Sequence, residues 1–210
     1  MSNRSQRFEN LLQISHKLNY TDDLDSVLER ILAEARSLTE SEAGTIYLRD
    51  GDELVIEHTQ NDLLFTSNLD NKNNYQNQRI PVTELSISGY VALNSMKGEG
   101  QDTVLNFPDV YQLSNTYPFH FDKSFDTKNS YRSKSMLATS LDNVNGENIG
   151  VIQLINKKGG TKQNIQFDKD DETVLSSFAD LAAVHIERAR ITKEMILRMI
   201  KMAELRDPKE

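Results

Sequence analysis

The chain has no cysteine. That absence excludes disulfides, thiolate metal sites and any thioether-linked chromophore, and it suits a reducing compartment. Basic side chains are in deficit, with 24 Lys and Arg against 32 Asp and Glu and a net charge of −8. Nucleic-acid binding calls for the opposite balance, a basic face for the phosphates. No apolar run approaches the ~20 residues that cross a bilayer, and the polar N-terminus lacks the apolar core of a signal peptide. Together these absences lead us to expect a soluble, cytoplasmic chain with no nucleic-acid or membrane partner. Its 210 residues fit one domain with extended flanks better than two compact domains.

What is present reads as alternating helices and strands. Phe8, Leu11, Leu12, Ile14 and Leu18 recur at helical spacing,. Asp22, Asp23 or Asp25 can cap a second helix whose apolar stripe is Leu24, Val27, Leu28, Ile31, Leu32, Ala35 and Leu38,. Residues 43–49 and 54–58 read as strands joined by the hairpin turn Asp50-Gly51-Asp52,. Residues 61–78, rich in Asn and Gln, read as a mobile insertion too long for an ordinary hairpin connection,. An extended entry at Pro81 then leads into a helix from Ser86 or Ser88 to Leu93. Further strands are expected over 103–107, 135–141 and 149–155, the last two joined by a turn centred on Asn145-Gly146,. Residues 111–134 lack strong periodicity, as a loop with one short helix would.

Glycine and proline are missing altogether between Asp168 and Leu205. A helix over that span would be roughly 55 Å long at ~1.5 Å per residue, more than a domain of this size can cover. Such length points to a coiled coil or to a helix leading elsewhere. Leu175, Phe178, Ala182, His185, Ala189, Ile196 and Met199 fall near a three-four spacing. They read as a core stripe that passes into a dimer seam beyond Arg190. Helices at both ends of an antiparallel-looking sheet make the fold class α+β.

One stretch carries more than periodicity. An apolar strand ends in Asn156-Lys157, a polar loop follows, and Phe167 is succeeded by Asp171-Glu172 at the start of the long helix. This arrangement resembles the NKFDE motif of the cyclic-nucleotide-binding GAF domains, with Asn156, Lys157, Phe167, Asp171 and Glu172 filling its five positions. Similar family features recur at Ile87-Ser88-Gly89-Tyr90-Val91, at Leu105-Asn106-Phe107-Pro108-Asp109 and at Tyr131-Arg132-Ser133-Lys134-Ser135. The resemblance implies a GAF fold, a six-stranded antiparallel sheet flanked by helices, with a long C-terminal signalling helix. It implies an N-terminal helix over 1–20 with a dimer contact, a GAF domain over 21–190, and a helical linker over 191–210.

By the same resemblance a cyclic nucleotide, cyclic AMP or cyclic GMP, is held between the sheet and the segments 87–91 and 111–133, with no cofactor required. Carried over position by position, its contacts would be Thr45, Thr59, Gln60, Ser88, Asp126, Asn129, Ser133 and Gln153, which supply both donors and acceptors. Where nucleotide-binding relatives often stack an aromatic on the base, this chain has Thr59, and Gln60 replaces the following Asp. Lys157 and Asp171 are expected to pair as a brace between lid and terminal helix.

Catalysis finds no constellation. His16, His58, His120 and His185 show no metal-ligand spacing, so no metal site is expected, and His185 lies in an apolar stripe where a packed histidine is commoner,. The tail Met202-Ala203-Glu204-Leu205-Arg206-Asp207-Pro208 resembles the segment opening many HD-GYP phosphodiesterase domains. The expectation is a non-catalytic, homodimeric sensor covalently linked to such an output domain. The competing expectations are a ligand-free dimerisation and spacer module, or a GAF domain for haem or another metabolite.

Overall fold

The computed structural model describes residues 23–64, 77–95, 104–159 and 162–206, the side chains of 162–164 and 204–206 excepted. The expected helix over 8–18, most of the expected insertion and Pro208 lie outside the described residues.

The first described helix, α1 (Leu24–Leu38), starts at Asp23, whose carboxylate accepts from the Ser26 N–H at 3.0 Å and from its hydroxyl at 2.7 Å. The cap satisfies an N–H with no intrahelical acceptor. Strands β1 (Ser41–Asp50) and β2 (Glu53–Asn61) form a hairpin across Gly51, which turns at φ +62°. The short β3 (Arg79–Pro81) pairs with β2. Next come α2 (Ile87–Ser95), β4 (Val104–Phe107), a single 3₁₀ turn (Val110–Gln112) and the short α3 (Ser124–Asn129). Strands β5 (Met136–Asp142) and β6 (Asn148–Gly159) form the second hairpin, and β7 (Lys162–Ile165) pairs with the end of β6. The chain then enters α4 (Lys169–Arg206), 38 residues and about 57 Å long,.

The sheet runs β3-β2-β1-β6-β5-β4, six antiparallel strands, with β7 attached to β6. Alternation along β6 builds two cores. Ile152 and Leu154 face α1 and α4, where they meet Leu28, Ile31, Leu32, Leu175 and Phe178. Val151 joins Tyr47, Val91, Phe107, Met136 and Ala138 on the other face, below α2 and the loop that carries Phe119. This division creates the site: Gln153 shares its face with Val151, so a polar side chain interrupts an otherwise apolar surface.

Two boundaries differ from the sequence reading. Asn61 ends β2, and its side chain accepts from the Leu63 and Leu64 N–H groups, so it caps the strand instead of opening the insertion. The strand expected to end at Asn156-Lys157 runs on to Gly159 as β6, because Asn156 adopts φ +59° and lets pairing resume beyond it. Asparagine tolerates that left-handed backbone better than most residues.

Candidate functional site

A cavity of about 400 Å³ lies between the sheet and the segments running from α2 to β5. Thr45, Tyr47 and Gln153 form its floor, Ile87 and Ser88 its α2 side, and Phe121, Phe125, Tyr131 and Ser133 its lid. The volume falls within the range of small-molecule pockets.

Of the eight residues expected to contact a ligand, six border the cavity: Thr45, Thr59, Gln60, Ser88, Ser133 and Gln153. Thr45 and Thr59 are register partners on β1 and β2, and their hydroxyls lie 3.3 Å apart. Gln153 stands opposite Thr45 on β6; it is 7% exposed and its side-chain amide has no hydrogen-bond partner among the described residues. Ser88, 4% exposed, likewise has no side-chain partner among them. Gln60 reaches the rim, but its amide turns to α1, accepting from Arg36 at 3.0 Å and donating to the Glu29 carbonyl at 2.9 Å.

Asp126 and Asn129 serve the lid itself. Asp126 is buried and accepts from the Tyr111 hydroxyl (2.9 Å), the Ser133 N–H (2.7 Å) and the Ser133 hydroxyl (2.9 Å). Asn129 donates to the Phe125 carbonyl at 2.7 Å, closing the end of α3. Both side chains fold inward because Ser130, at φ +50°, reverses the chain just beyond them.

Electrostatics around the cavity are mild. Burial pushes the Tyr47 phenol up to about 12, so it stays neutral. Arg79 borders the mouth and is engaged by Glu53 (2.7 Å) and Asp50 (2.9 Å). Ile87 and Ser88, at the start of α2, line the cavity, and the Gly89 N–H is taken by the Ser86 hydroxyl at 3.1 Å. The N–H groups of Ile87 and Ser88 lie in the first turn, where no intrahelical acceptor exists. Such a helix start suits an anion. Gly89 is required for close approach, since a Cβ there would sit 2.5 Å from the Thr83 carbonyl oxygen.

Asn156, Lys157, Phe167, Asp171 and Glu172 tie the lid and the end of β6 to the start of α4. Asn156 accepts from the Lys134 N–H at 2.7 Å and donates to the Arg132 carbonyl at 2.9 Å, to the Tyr131 hydroxyl at 3.0 Å and to Glu42 at 3.0 Å. Tyr131 in turn donates to Glu42 at 2.6 Å. Burial and the neighbouring Glu42 carboxylate both raise the Tyr131 phenol, so it remains a donor. Lys157 donates to Asp171 and, at 2.9 Å, to Asp168. Asp168 and Asp171 also cap each other's N–H groups at 2.8 and 2.9 Å, a reciprocal box at the start of α4,. Phe167 is 2% exposed within the α1–α4 core. Asn106 donates to the Phe167 carbonyl at 2.9 Å and to Glu172 at 2.8 Å, fastening that corner to β4.

Glu42 was not singled out from the sequence, and Asn106 stood there only within a family feature, with no partner assigned. Their partners lie far away in the chain, and no local spacing marks them.

This geometry is that of a small-molecule cavity whose lid is anchored to the root of a long helix. The GAF domain family model matches residues 23–186, and the chain belongs to that family. Among curated proteins it is 28% identical over 185 residues to the dual 3',5'-cyclic-AMP and -GMP phosphodiesterase 11 of Drosophila melanogaster, covering 86% of this chain and 12% of that protein. It is 35% identical over 105 residues to the dual phosphodiesterase 11A of Takifugu rubripes, covering 50% of this chain and 10% of the relative. The chain thus spans about a tenth of the length of these relatives. Among solved structures it resembles the GAF domain of a phosphoenolpyruvate-protein phosphotransferase from Coxiella burnetii, with TM-score 0.70, 16% identity and coverage of 92% and 99%. It also resembles free methionine-R-sulfoxide reductase from Neisseria meningitidis in complex with its substrate, with TM-score 0.64, 20% identity and coverage of 91% and 95%. These likenesses bear on the fold. No helix among the described residues is long and apolar enough to cross a membrane.

Proposed function

We propose that this GAF domain is a sensor that binds a cyclic nucleotide in the cavity beneath its lid and passes occupancy to an output domain through α4. The observation that carries the reading is Gln153: a buried amide on the central strand, facing the cavity, with no partner among the described residues. A purine edge offers the donors and acceptors such an amide needs. The first turn of α2, with Ser88 beside it, suits the single charge of a cyclic phosphate. The named relatives are cyclic-AMP and cyclic-GMP phosphodiesterases, which favours this ligand class and a phosphodiesterase output. The tail from Met202 points to an output domain of HD-GYP type.

Transmission rests on a second feature. Val184, Ile191, Met195 and Met202 are each more than half exposed, and at ~100° per residue they lie on one face of α4. Paired in a cytoplasmic homodimer, these stripes would form the seam along which helix angle or register changes. Ligand shifts the population only insofar as it favours one helix arrangement.

Calorimetric titration with cyclic AMP and cyclic GMP tests the reading. Saturable binding by one of them, weakened about tenfold by Gln153→Leu as befits one lost hydrogen bond, is expected. Absence of binding by both at millimolar concentration favours the ligand-free spacer, a reading that the mutually bonded Thr45 and Thr59 hydroxyls support. An absorption band near that of haem in the purified protein would redirect the assignment to haem.

A further inference from the structure

On the opposite side of the sheet from the cavity, β2 carries a bulge. Tyr47 pairs with Ile56 and Ile46 pairs with His58, so Glu57 is the extra residue. A bulge re-aims side chains, and here it brings Glu57 and His58 to the same side of the strand. That side faces α1. Two residues on, the Gln60 amide reaches the Glu29 carbonyl of α1 at 2.9 Å. Stepping back two residues along a strand covers about 7 Å, and stepping back one turn along a helix covers about 5–6 Å. The same run of contacts therefore sets His58 against Asp25, one turn before Glu29. The ligand atoms of Asp25, Glu57 and His58 all lie within 4.8 Å of one another.

We infer that Asp25, Glu57 and His58 form a binding site for a divalent transition-metal ion, with Zn²⁺ as the best-matched occupant. One imidazole nitrogen and two carboxylate oxygens are three donors of the kind that Zn²⁺ takes, leaving a fourth position for water. Two carboxylate charges balance the ion. His58 is buried, Glu57 half-buried and Asp25 exposed, so the site has a firm base and an open entrance. The ion would join the first turn of α1 to β2, across the sheet from the cavity face that Thr59, the next residue in the strand, lines. The sequence hides the set, because its members come from two elements and no histidine pair marks it. The inference does not depend on the identity of the cavity ligand.

The test is a calorimetric titration of chelator-treated protein with Zn²⁺, paired with visible absorption on titration with Co²⁺. One equivalent of Zn²⁺ at micromolar affinity or tighter is expected, with Co²⁺ ligand-field bands saturating at the same stoichiometry. His58→Gln and the conservative Asp25→Asn are each expected to weaken Zn²⁺ binding at least tenfold and to change the Co²⁺ bands. Asp25 is exposed, so its variant reads the site even if the His58 variant fails to fold. The inference is overturned if Zn²⁺ does not bind at about millimolar concentration. It is equally overturned if Asp25→Asn leaves both affinity and spectrum unchanged, which would place the ion at another histidine.

Discussion

Lys157 and Asp171 meet in the interior, where the last stretch of β6 passes the first turn of α4: the ammonium is 7% exposed and the carboxylate fully buried. Asp168 completes the arrangement from the solvent side at 2.9 Å. One ion pair thus fixes the strand bearing Asn156, and through it the lid, to the helix that leaves the domain.

Removing one half of this pair should be costly. Lys157→Met strands a buried carboxylate, and urea unfolding should show a loss of about 3–5 kcal/mol. The double variant Lys157→Met/Asp171→Asn should lose clearly less than the two single losses added, since no buried charge is then left alone. Additive losses would mean that the two side chains do not interact.

Acid should weaken the domain through three carboxylates. Partial burial tends to raise Asp62, Asp168 and Glu172, but their bonds to Lys158 and Arg36, to Lys157, and to Asn106 and Lys169 hold all three below their ordinary values. Each contributes stability that is fully present above the unfolded values of 3.8 for Asp and 4.5 for Glu, and lost as pH falls through the depressed folded values,. Asp171 has the opposite sign, because burial raises it against the pull of Lys157; its contribution is present below 3.8 and lost as pH rises through the folded value. Urea midpoints should therefore fall steeply below about pH 4.5, and Asp62→Asn should flatten that slope.

Gly89→Ala sets helix propensity against packing. Alanine is the better helix former by about 1 kcal/mol, yet its Cβ would lie 2.5 Å from the Thr83 carbonyl oxygen and 2.9 Å from the Thr83 nitrogen. Backbone atoms yield poorly, so the clash should win and destabilise the domain by about 1–3 kcal/mol. An increase in melting temperature would show that the turn before α2 is free to move away.

Glu42 is the hub of the lid anchor. Glu42→Ala removes the acceptor shared by Tyr131 and Asn156 and should cost about 1–3 kcal/mol. Glu42→Gln keeps one acceptor oxygen and should cost less. Equal losses from the two variants, read from denaturation curves, would mean that packing and not the hydrogen bonds matters at this position.

Along α4 the exposed face should report assembly. Ile191→Glu with Met195→Glu is expected to convert the proposed dimer to monomer in sedimentation experiments while leaving the folded core intact, since both residues lie beyond the buried stripe that ends near Ile186.

Both hairpins and α4 were legible in the sequence because apolar runs of strand length, Asp-Gly and Asn-Gly turns and an unbroken helical run are local signals. So was the expected packing of His185, which is buried, with burial and then the Arg188 charge holding it below its ordinary value. The six-stranded sheet, by contrast, was expected only from the resemblance to GAF domains. β7 was missed because Lys162–Ile165 carries one apolar residue, too little for a strand signal. The division of the lid into cavity-facing and inward-bonded residues was not legible either. Asp126 and Ser133 bond to each other across the left-handed turn at Ser130, a pairing that no local spacing marks.

The central claim is that cavity and exit helix act as one body, joined through Tyr131, Asn156, Lys157 and Asp171. Backbone hydrogen exchange of the intact chain, with and without saturating cyclic nucleotide, addresses it most directly. Slower exchange on binding is expected both in the lid around residues 131–135 and at the first turn of α4. Protection confined to the cavity wall, with exchange around residues 168–174 unchanged, would contradict the claim.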